Sequence, residues 1–318
     1  MNERTIFLAE GNPHTLSAKF QQSACPADLP IYDSGISPQG LKIPLDKVIA
    51  TAAPYADVFT YGDTDHHNMN VRGEMRKPEN LAALKQSGFT DIGFETSKGL
   101  QAWNNAYVDG GLGRDEFKTQ IAPALMAATG NEKGEWTKQI LDTAEFAKAN
   151  EMNLHFADPN NGRLACDAAM SAEECDIAET KARYQDTQLS ADHAARLAEP
   201  AADNQQRKIF QIYGSAHYSV DNGSREGIGG RMVKMDVYAS RADYESDKTI
   251  LKEENDRGVM VGEIKPELVY LLDSGTLHTT CATPPALAAD LEQAAAQSPP
   301  AFKNEPSTKK LEVSSLSR

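Results

Sequence analysis

Residues 55–95 constrain the fold of this chain more than any other stretch. An apolar strand pattern (Val58, Phe59, Tyr61) runs into Gly62-Asp63-Thr64-Asp65-His66-His67. A helical pattern follows, opened by Pro78 and stopped by Gly88, with Leu81 and Leu84 on one face. Asp91-Ile92-Gly93-Phe94-Glu95 then reads as a second buried strand. Strand, crossover helix and strand make a right-handed parallel unit. Polar residues just past the C-terminal ends of parallel strands face the crevice where α/β proteins bind ligands. Asp63, Asp65 and His66 follow the first strand and Glu95 ends the second. Strands about 5 Å apart would let these side chains share one pocket. The competing use of the acids is to cap the following helix.

The same signal recurs downstream. Met152, Leu154 and Phe156 alternate and meet Asp158-Pro159, so Asp158 is either a turn former or another acid at a strand end. His155 points to the face opposite Leu154, as a core histidine with its hydrogen bonds satisfied. Lys208 to Tyr213 is a buried strand that runs directly into Gly214-Ser215-Ala216-His217. Twice, then, an apolar strand ends in a glycine with a histidine three or four residues on. The glycine permits a tight turn that throws the histidine over the sheet edge. The glycine-rich stretch 222–230 lies beside His217 and could close over a ligand. It lacks the Gly-Lys-Ser/Thr ending of a phosphate loop. Arg231–Ser240, Val259–Ile264 and Leu268–Leu272 are further strand candidates, and Asp273-Ser274-Gly275 is a turn.

Between the strands lie helical patterns. Leu45–Ala53 is a short one. Gln101–Val108 sets Trp103 and Tyr107 one turn apart, both read as core. Arg114–Thr129 carries Phe117, Ile121, Leu125 and Met126 on one stripe, with a kink expected at Pro123. Trp136–Asn150 aligns Trp136, Ile140, Ala144 and Ala147. Ser171 to Glu174 is a capping box opening a helix through Tyr184. Ser190 can cap a helix to Glu199, which puts His193 in its first turn and in solvent. The expected fold is α/β, a mixed but mainly parallel sheet flanked by helices. Residues 1–44 read as an irregular arm that contributes at most a sheet edge. Residues 45–282 read as a single α/β domain, and 283–318 as a disordered tail holding a short Ala-rich helix.

The formal net charge of −14 over 318 residues, with Lys and Arg scattered, disfavours nucleic acid and anionic membrane as partners. No stretch is long and apolar enough to be inserted in a bilayer. Cys25, Cys166, Cys175 and Cys281 match no zinc spacing. Cys166 and Cys175 could bridge a loop, and reduced, inert thiols are the default for all four. The first ten residues lack an apolar run suited to a signal peptide. A cytoplasmic place is therefore expected, with export as an effector the alternative.

Three motifs in this order resemble the superfamily of erythromycin esterases, TIKI proteases and haem-binding ChaN proteins with their related toxin domains. Gly62-Asp63-Thr64-Asp65-His66 is similar to the first motif, with Asp63 where the family has Glu. Ile92-Gly93-Phe94-Glu95 is similar to the second and Tyr213-Gly214-Ser215-Ala216-His217 to the third. The similarity spans about 55–240. It implies an EreA/ChaN-like α/β fold and a catalytic set of Asp63, His66, Glu95 and His217. An arginine after the first histidine is also implied, for which Arg72 and Arg76 qualify. They join Asp158 and Tyr218 as candidate substrate-binding residues.

This set supports hydrolysis of an ester or a peptide amide by two routes. Without metal, His66 takes a proton from water, Asp63 and Glu95 orient it, and His217 with an arginine holds the oxyanion. With Mn or Zn, Asp63, Asp65, His66 and His217 would be ligands and the metal would activate the water. The ChaN branch implies haem binding instead, with Tyr61, Tyr213, Tyr218 or a histidine as axial ligand. The Asp-for-Glu change leaves a third reading, an effector scaffold without catalysis. His67, adjacent to His66, is read as a surface residue.

Overall fold

The structure is a computed structural model that describes residues 25–26, 29–30, 32–65, 69–129, 134–158, 169–184, 187–200, 205–215, 231–259 and 265–298. Its strands are β1 (Leu41–Lys42), β2 (Val58–Asp63), β3 (Asp91–Ser97), β4 (Asn153–Asp158), β5 (Ile209–Gly214), β6 (Met232–Tyr238), β7 (Leu268–Leu271) and β8 (Thr276–Thr279). Its α-helices are α1 (Leu45–Ala52), α2 (Met69–Glu74), α3 (Pro78–Gln86), α4 (Gln101–Val108), α5 (Arg114–Thr129) and α6 (Glu135–Ala149). They continue as α7 (Ala172–Tyr184), α8 (Thr187–Ala198), α9 (Arg241–Asp256) and α10 (Pro285–Gln297).

The strands form one sheet in the order β1-β8-β7-β6-β2-β5-β3-β4. From β7 to β4 all neighbours are parallel, while β8 is antiparallel to both β7 and β1. This is the mixed, mainly parallel α/β sheet expected. One expectation about it fails, because β2 and β3 are not neighbours. Strand β5 lies between them, with Ile209 opposite both Val58 and Asp91. A crossover helix sets the direction and hand of a connection, and it leaves room for a later strand to insert.

The two faces of the sheet differ in chemistry. On one face Phe59, Tyr61, Phe94, Phe210 and Ile212 pack with Val48 and Ile49 of α1, Leu84 of α3, Phe117 and Ile121 of α5, Ile140 of α6 and Leu287 of α10. Phe59 stacks on Phe210 at 5.4 Å between ring centroids, and Phe89 meets both edge-on. The opposite face has a small apolar patch of Val58, Ala157, Leu189, Ile209, Tyr213 and Met232. It also holds Tyr238, Val269 and Leu271 packed with Tyr244 of α9, and its buried polar side chains include Thr60, Gln211, His155, Lys234 and Asp236. Alternation along each strand sends successive side chains to opposite faces, so one sheet carries both.

The edge strand β4 is finished by side chains of α4. Gln101 and Asn104 donate to the Leu154 carbonyl, and Gln101 Oε1 accepts from Phe156 N at 2.7 Å. Those bonds blunt an edge that would otherwise template pairing with another chain. The capping box forms as expected, Ser171 and Glu174 bonding reciprocally. Phe117, Ile121, Leu125, Trp136, Ile140, Ala144 and Ala147 are buried as expected.

Several expectations are corrected. Trp103 is 39% exposed and outside the core, because α4 turns Tyr107 inward instead. Helix α8 begins at Thr187, so Ser190 lies inside it. The short Ala-rich helix expected within residues 283–318 is α10. Residues 285–297 are helical and Leu287 and Leu291 enter the core, which carries the domain past 282. Strand β8 and helix α9 were not anticipated. Of the strand expected over Val259–Ile264, only Val259 is described, and it is not in a strand. The cysteines are not reduced: Cys25 is bridged to Cys281, Cys175 is also in a disulfide, and no described cysteine is free. The first bridge crosses 256 positions of sequence, a pairing that only the arm's path beside β8 reveals. There Leu41 opposes Leu277, and Ser37 N donates to the Thr279 carbonyl. Among the described residues no helix is long and apolar enough to cross a membrane.

The stacked rings make a prediction for the fold. Phe210→Ala should cost about 3–5 kcal/mol in urea unfolding, as full truncation of a buried aromatic does. A loss below about 1 kcal/mol would show that this face is not packed as described.

Candidate functional site

Strand β2 ends in Asp63, which is 2% exposed. Tyr61, two residues earlier, donates its hydroxyl to the Val71 carbonyl, tying β2 to the start of α2. That tie brings Arg72, 0% exposed, against the strand end. Arg72 Nε pairs with Asp63 Oδ2, and Arg72 Nη2 lies 3.2 Å from Glu95 Oε2. Trp136 of α6 covers the guanidinium, its ring centroid 3.4 Å from Cζ. A guanidinium suits this place because its planar fork serves two carboxylates while its face stacks on an indole.

Three strand ends meet at this cluster. Asp63 comes from β2 and Glu95 from β3. The inserted β5 contributes the backbone, Gly214 N donating to Glu95 Oε2 at 2.7 Å. Asp63 Oδ1 accepts from Asp65 N at 3.1 Å, and Thr64 donates to the Val237 carbonyl at 2.6 Å. The turn after β2 is therefore held from both sides. Gly62 is required there, since a Cβ would lie 2.5 Å from Asp236 Oδ1 and 3.2 Å from the Met235 carbonyl.

Of the expected site residues, Asp63 and Glu95 are brought together through Arg72. His66, His67, His217 and Tyr218 lie outside the described residues. Arg72, expected to bind substrate, is fully buried against Asp63 and Glu95. Arg76 points elsewhere, toward Asp142 at 3.5 Å and Glu135 at 4.0 Å beside α6. Asp158 stands at the end of edge strand β4, opposite Ser97. It is three strands from β2, about 14 Å at the usual strand spacing, and does not join Asp63. Asp65 is exposed. The haem candidates Tyr61 and Tyr213 are both fully buried, and Tyr61 has committed its hydroxyl to Val71.

A divalent metal does not fit between Asp63 and Glu95. Arg72 already places a cation there, and a second one would be repelled at close range in a buried setting. Among the described residues no group of three or more His, Cys, Asp or Glu is placed to hold a metal ion.

On the other face of the sheet two histidines depart from expectation. His193 is 1% exposed and not in solvent, because α8 turns this residue onto the sheet, with Nε2 3.1 Å from Gln211 Oε1. His155 is buried as expected, 5% exposed, yet neither ring nitrogen has a hydrogen-bond partner. Its pKa is pushed well below 6.5 by burial, with Arg196, His193, Arg207 and Lys98 acting in the same direction. Only contacts between distant elements distinguish such a histidine from a satisfied one.

Comparison with known proteins gives no matching family model and no matching curated protein. Among solved structures the chain is similar to the type III effector HopBA1, at 16% identity and a TM-score of 0.44, over 66% of this chain and 88% of that one. It is similar to RRSP, a MARTX toxin effector domain from Vibrio vulnificus, at 17% identity and a TM-score of 0.41, over 73% of this chain and 44% of that one. The third is the C-terminal region of Pasteurella multocida toxin, described with a thiol-protease like catalytic triad. It is 12% identical with a TM-score of 0.39, over 61% of this chain and 24% of that one.

Two predictions follow from the geometry. Arg72→Ala should destabilise the protein by about 3–5 kcal/mol, since it leaves the buried Asp63 carboxylate without its cation. Urea unfolding measures this, and a change below about 1 kcal/mol would show the cluster to be solvated. The second concerns acid. With the folded His155 pKa below the unfolded 6.5, only the unfolded chain takes up the proton as pH falls past 6.5. Stability from this residue is complete above that pH and is lost on acidification. The fall in urea midpoint between neutral and mildly acidic buffer should be smaller in His155→Gln than in the unmodified chain, and equal falls would refute it.

Proposed function

We propose that this protein is a hydrolase that cleaves an ester or a peptide amide by a metal-free, histidine-activated water. The observation that carries the reading is Arg72 bound to both Asp63 and Glu95 at the C-terminal rim of parallel strands. Two carboxylates against one guanidinium leave one formal negative charge in excess. Such a charge suits orienting an imidazole and stabilising it when it becomes imidazolium. The resemblance of the motifs around Asp63, Glu95 and Gly214 to the erythromycin esterase and TIKI superfamily supports the same reading.

In this scheme His66 removes a proton from water, whose oxygen attacks the carbonyl carbon. His217 donates to the developing oxyanion. The tetrahedral species then collapses, and the departing alcohol or amine takes the proton from His66. Asp63 and Glu95 hold the imidazoles, and Arg72 holds the two acids.

The test is turnover of chromogenic short-chain esters and of a peptide library by the purified chain. His66→Ala, His217→Ala and Glu95→Gln should each lower kcat/KM by about 10²-fold or more with unchanged circular dichroism. Full activity in both histidine variants would remove the proposal. A chelator should leave turnover unchanged, whereas loss that Mn or Zn restores would assign the water to a metal.

A further inference from the structure

A cavity of about 320 Å³ opens between β4 and α8, lined among others by His155, His193, Arg196, Lys98 and Gln101. That volume lies at the lower end of the range for small-molecule sites. It sits on the polar face of the sheet, away from Arg72 and Trp136. Its wall includes His155, whose hydrogen-bonding groups lack partners among the described residues. Both nitrogens of His155 and the Nε2 amide of Gln211 are buried and unbonded. Arg196 commits Nη1 to Asp91 Oδ1 at 3.1 Å, and its remaining donors make no bond among the described residues.

The backbone makes room for these groups. A Cβ at Gly93 would lie 1.8 Å from Gln211 Oε1 and 2.9 Å from His155 Nε2. An alanine there would push both side chains out of place. The sheet thus gives up a side chain at its centre to seat a glutamine and a histidine, an arrangement that apolar packing does not require.

The hydrogen-bond donors, set among paired charges, indicate the ligand. The groups that act electrostatically on His155 are Arg196, His193, Arg207 and Lys98. The acids of this region are already engaged: Asp192 by Lys98, Asp91 by Arg196 and Arg207, and the exposed Glu199 at 3.9 Å from Arg207. The lining carries two cations, Lys98 and Arg196, and two acids, Asp192 and Glu199, and it is the donors that Arg196 keeps beside the unpaired imidazole that suit an oxyanion. We propose that this cavity binds a small oxyanion, a carboxylate- or phosphate-bearing metabolite, through Arg196 and His155. The site is independent of the hydrolase reading.

The experiment is a titration of the full chain, labelled on its histidine rings, with inorganic phosphate and separately with succinate, followed by NMR. Saturable shifts of the His155 and His193 resonances, with half-saturation at or below about 1 mM, are expected for at least one anion. Saturation by phosphate alone assigns the phosphate class, and by succinate alone the carboxylate class. Arg196→Gln should weaken binding about tenfold or more. It leaves Asp91 paired with Arg207, so the fold has reason to survive. His155→Phe, which fills the cavity with a ring lacking nitrogen, is the second variant and should abolish the His193 shift. No saturable shift with either anion overturns the proposal, as does binding unchanged in both variants.

Discussion

The guanidinium of Arg72 is the constraint from which the rest of the rim follows. A buried positive charge is tolerated only when it is paired and its hydrogen bonds are made, and loss of one partner costs several kcal/mol. Arg72 meets that demand with Asp63 from one strand, Glu95 from another and the indole of Trp136 above. To do so it must sit at one spot, and Tyr61 holds it there through the Val71 carbonyl. Two strands separated by a third are thereby locked at their ends. The third strand joins through Gly214 N, which donates to the same carboxylate.

The unequal faces of the sheet explain how one domain can hold both a stable core and a polar cavity. Stacked phenylalanines and four or more covering helices bury the apolar face. Burial at that scale supplies most of the driving force for folding. The opposite face is then free to carry Gln211, His155, Lys234 and Asp236, where Lys234 pairs with Asp236 at 3.2 Å and the ring nitrogens of His155 lack partners among the described residues. Charged residues are managed there by sharing: Asp91, fully buried, serves both Arg196 and Arg207.

Local patterns carried much of the reading in sequence. Alternation around Phe59, Leu154 and Phe210 marked strands, and a 3.6-residue period at Trp136, Ile140, Ala144 and Ala147 marked a buried helix face. Asp63 and Glu95 were legible as a pair because acids just past strand ends converge in parallel sheets. Arg72 was not separable from Arg76. Four residues apart on a short segment, they differ only in which neighbours fold against them. His193 was misread as solvated because its burial comes from the sheet beneath α8 and not from any periodicity in the helix. The Cys25–Cys281 bridge was invisible for the same reason, since it joins elements 256 residues apart.

By itself the sequence determined the α/β class, most of the helices, the principal strands and the two carboxylates at the strand ends. Those depend on periodicity, glycine placement and capping, which act within about one turn or one strand. Only the tertiary structure decided strand order, the insertion of β5 between β2 and β3, the partners of Arg72 and the unpaired ring nitrogens of His155. Each of these is a matter of which distant groups share low-dielectric space, where hydrogen-bond and charge partners are chosen by proximity in three dimensions.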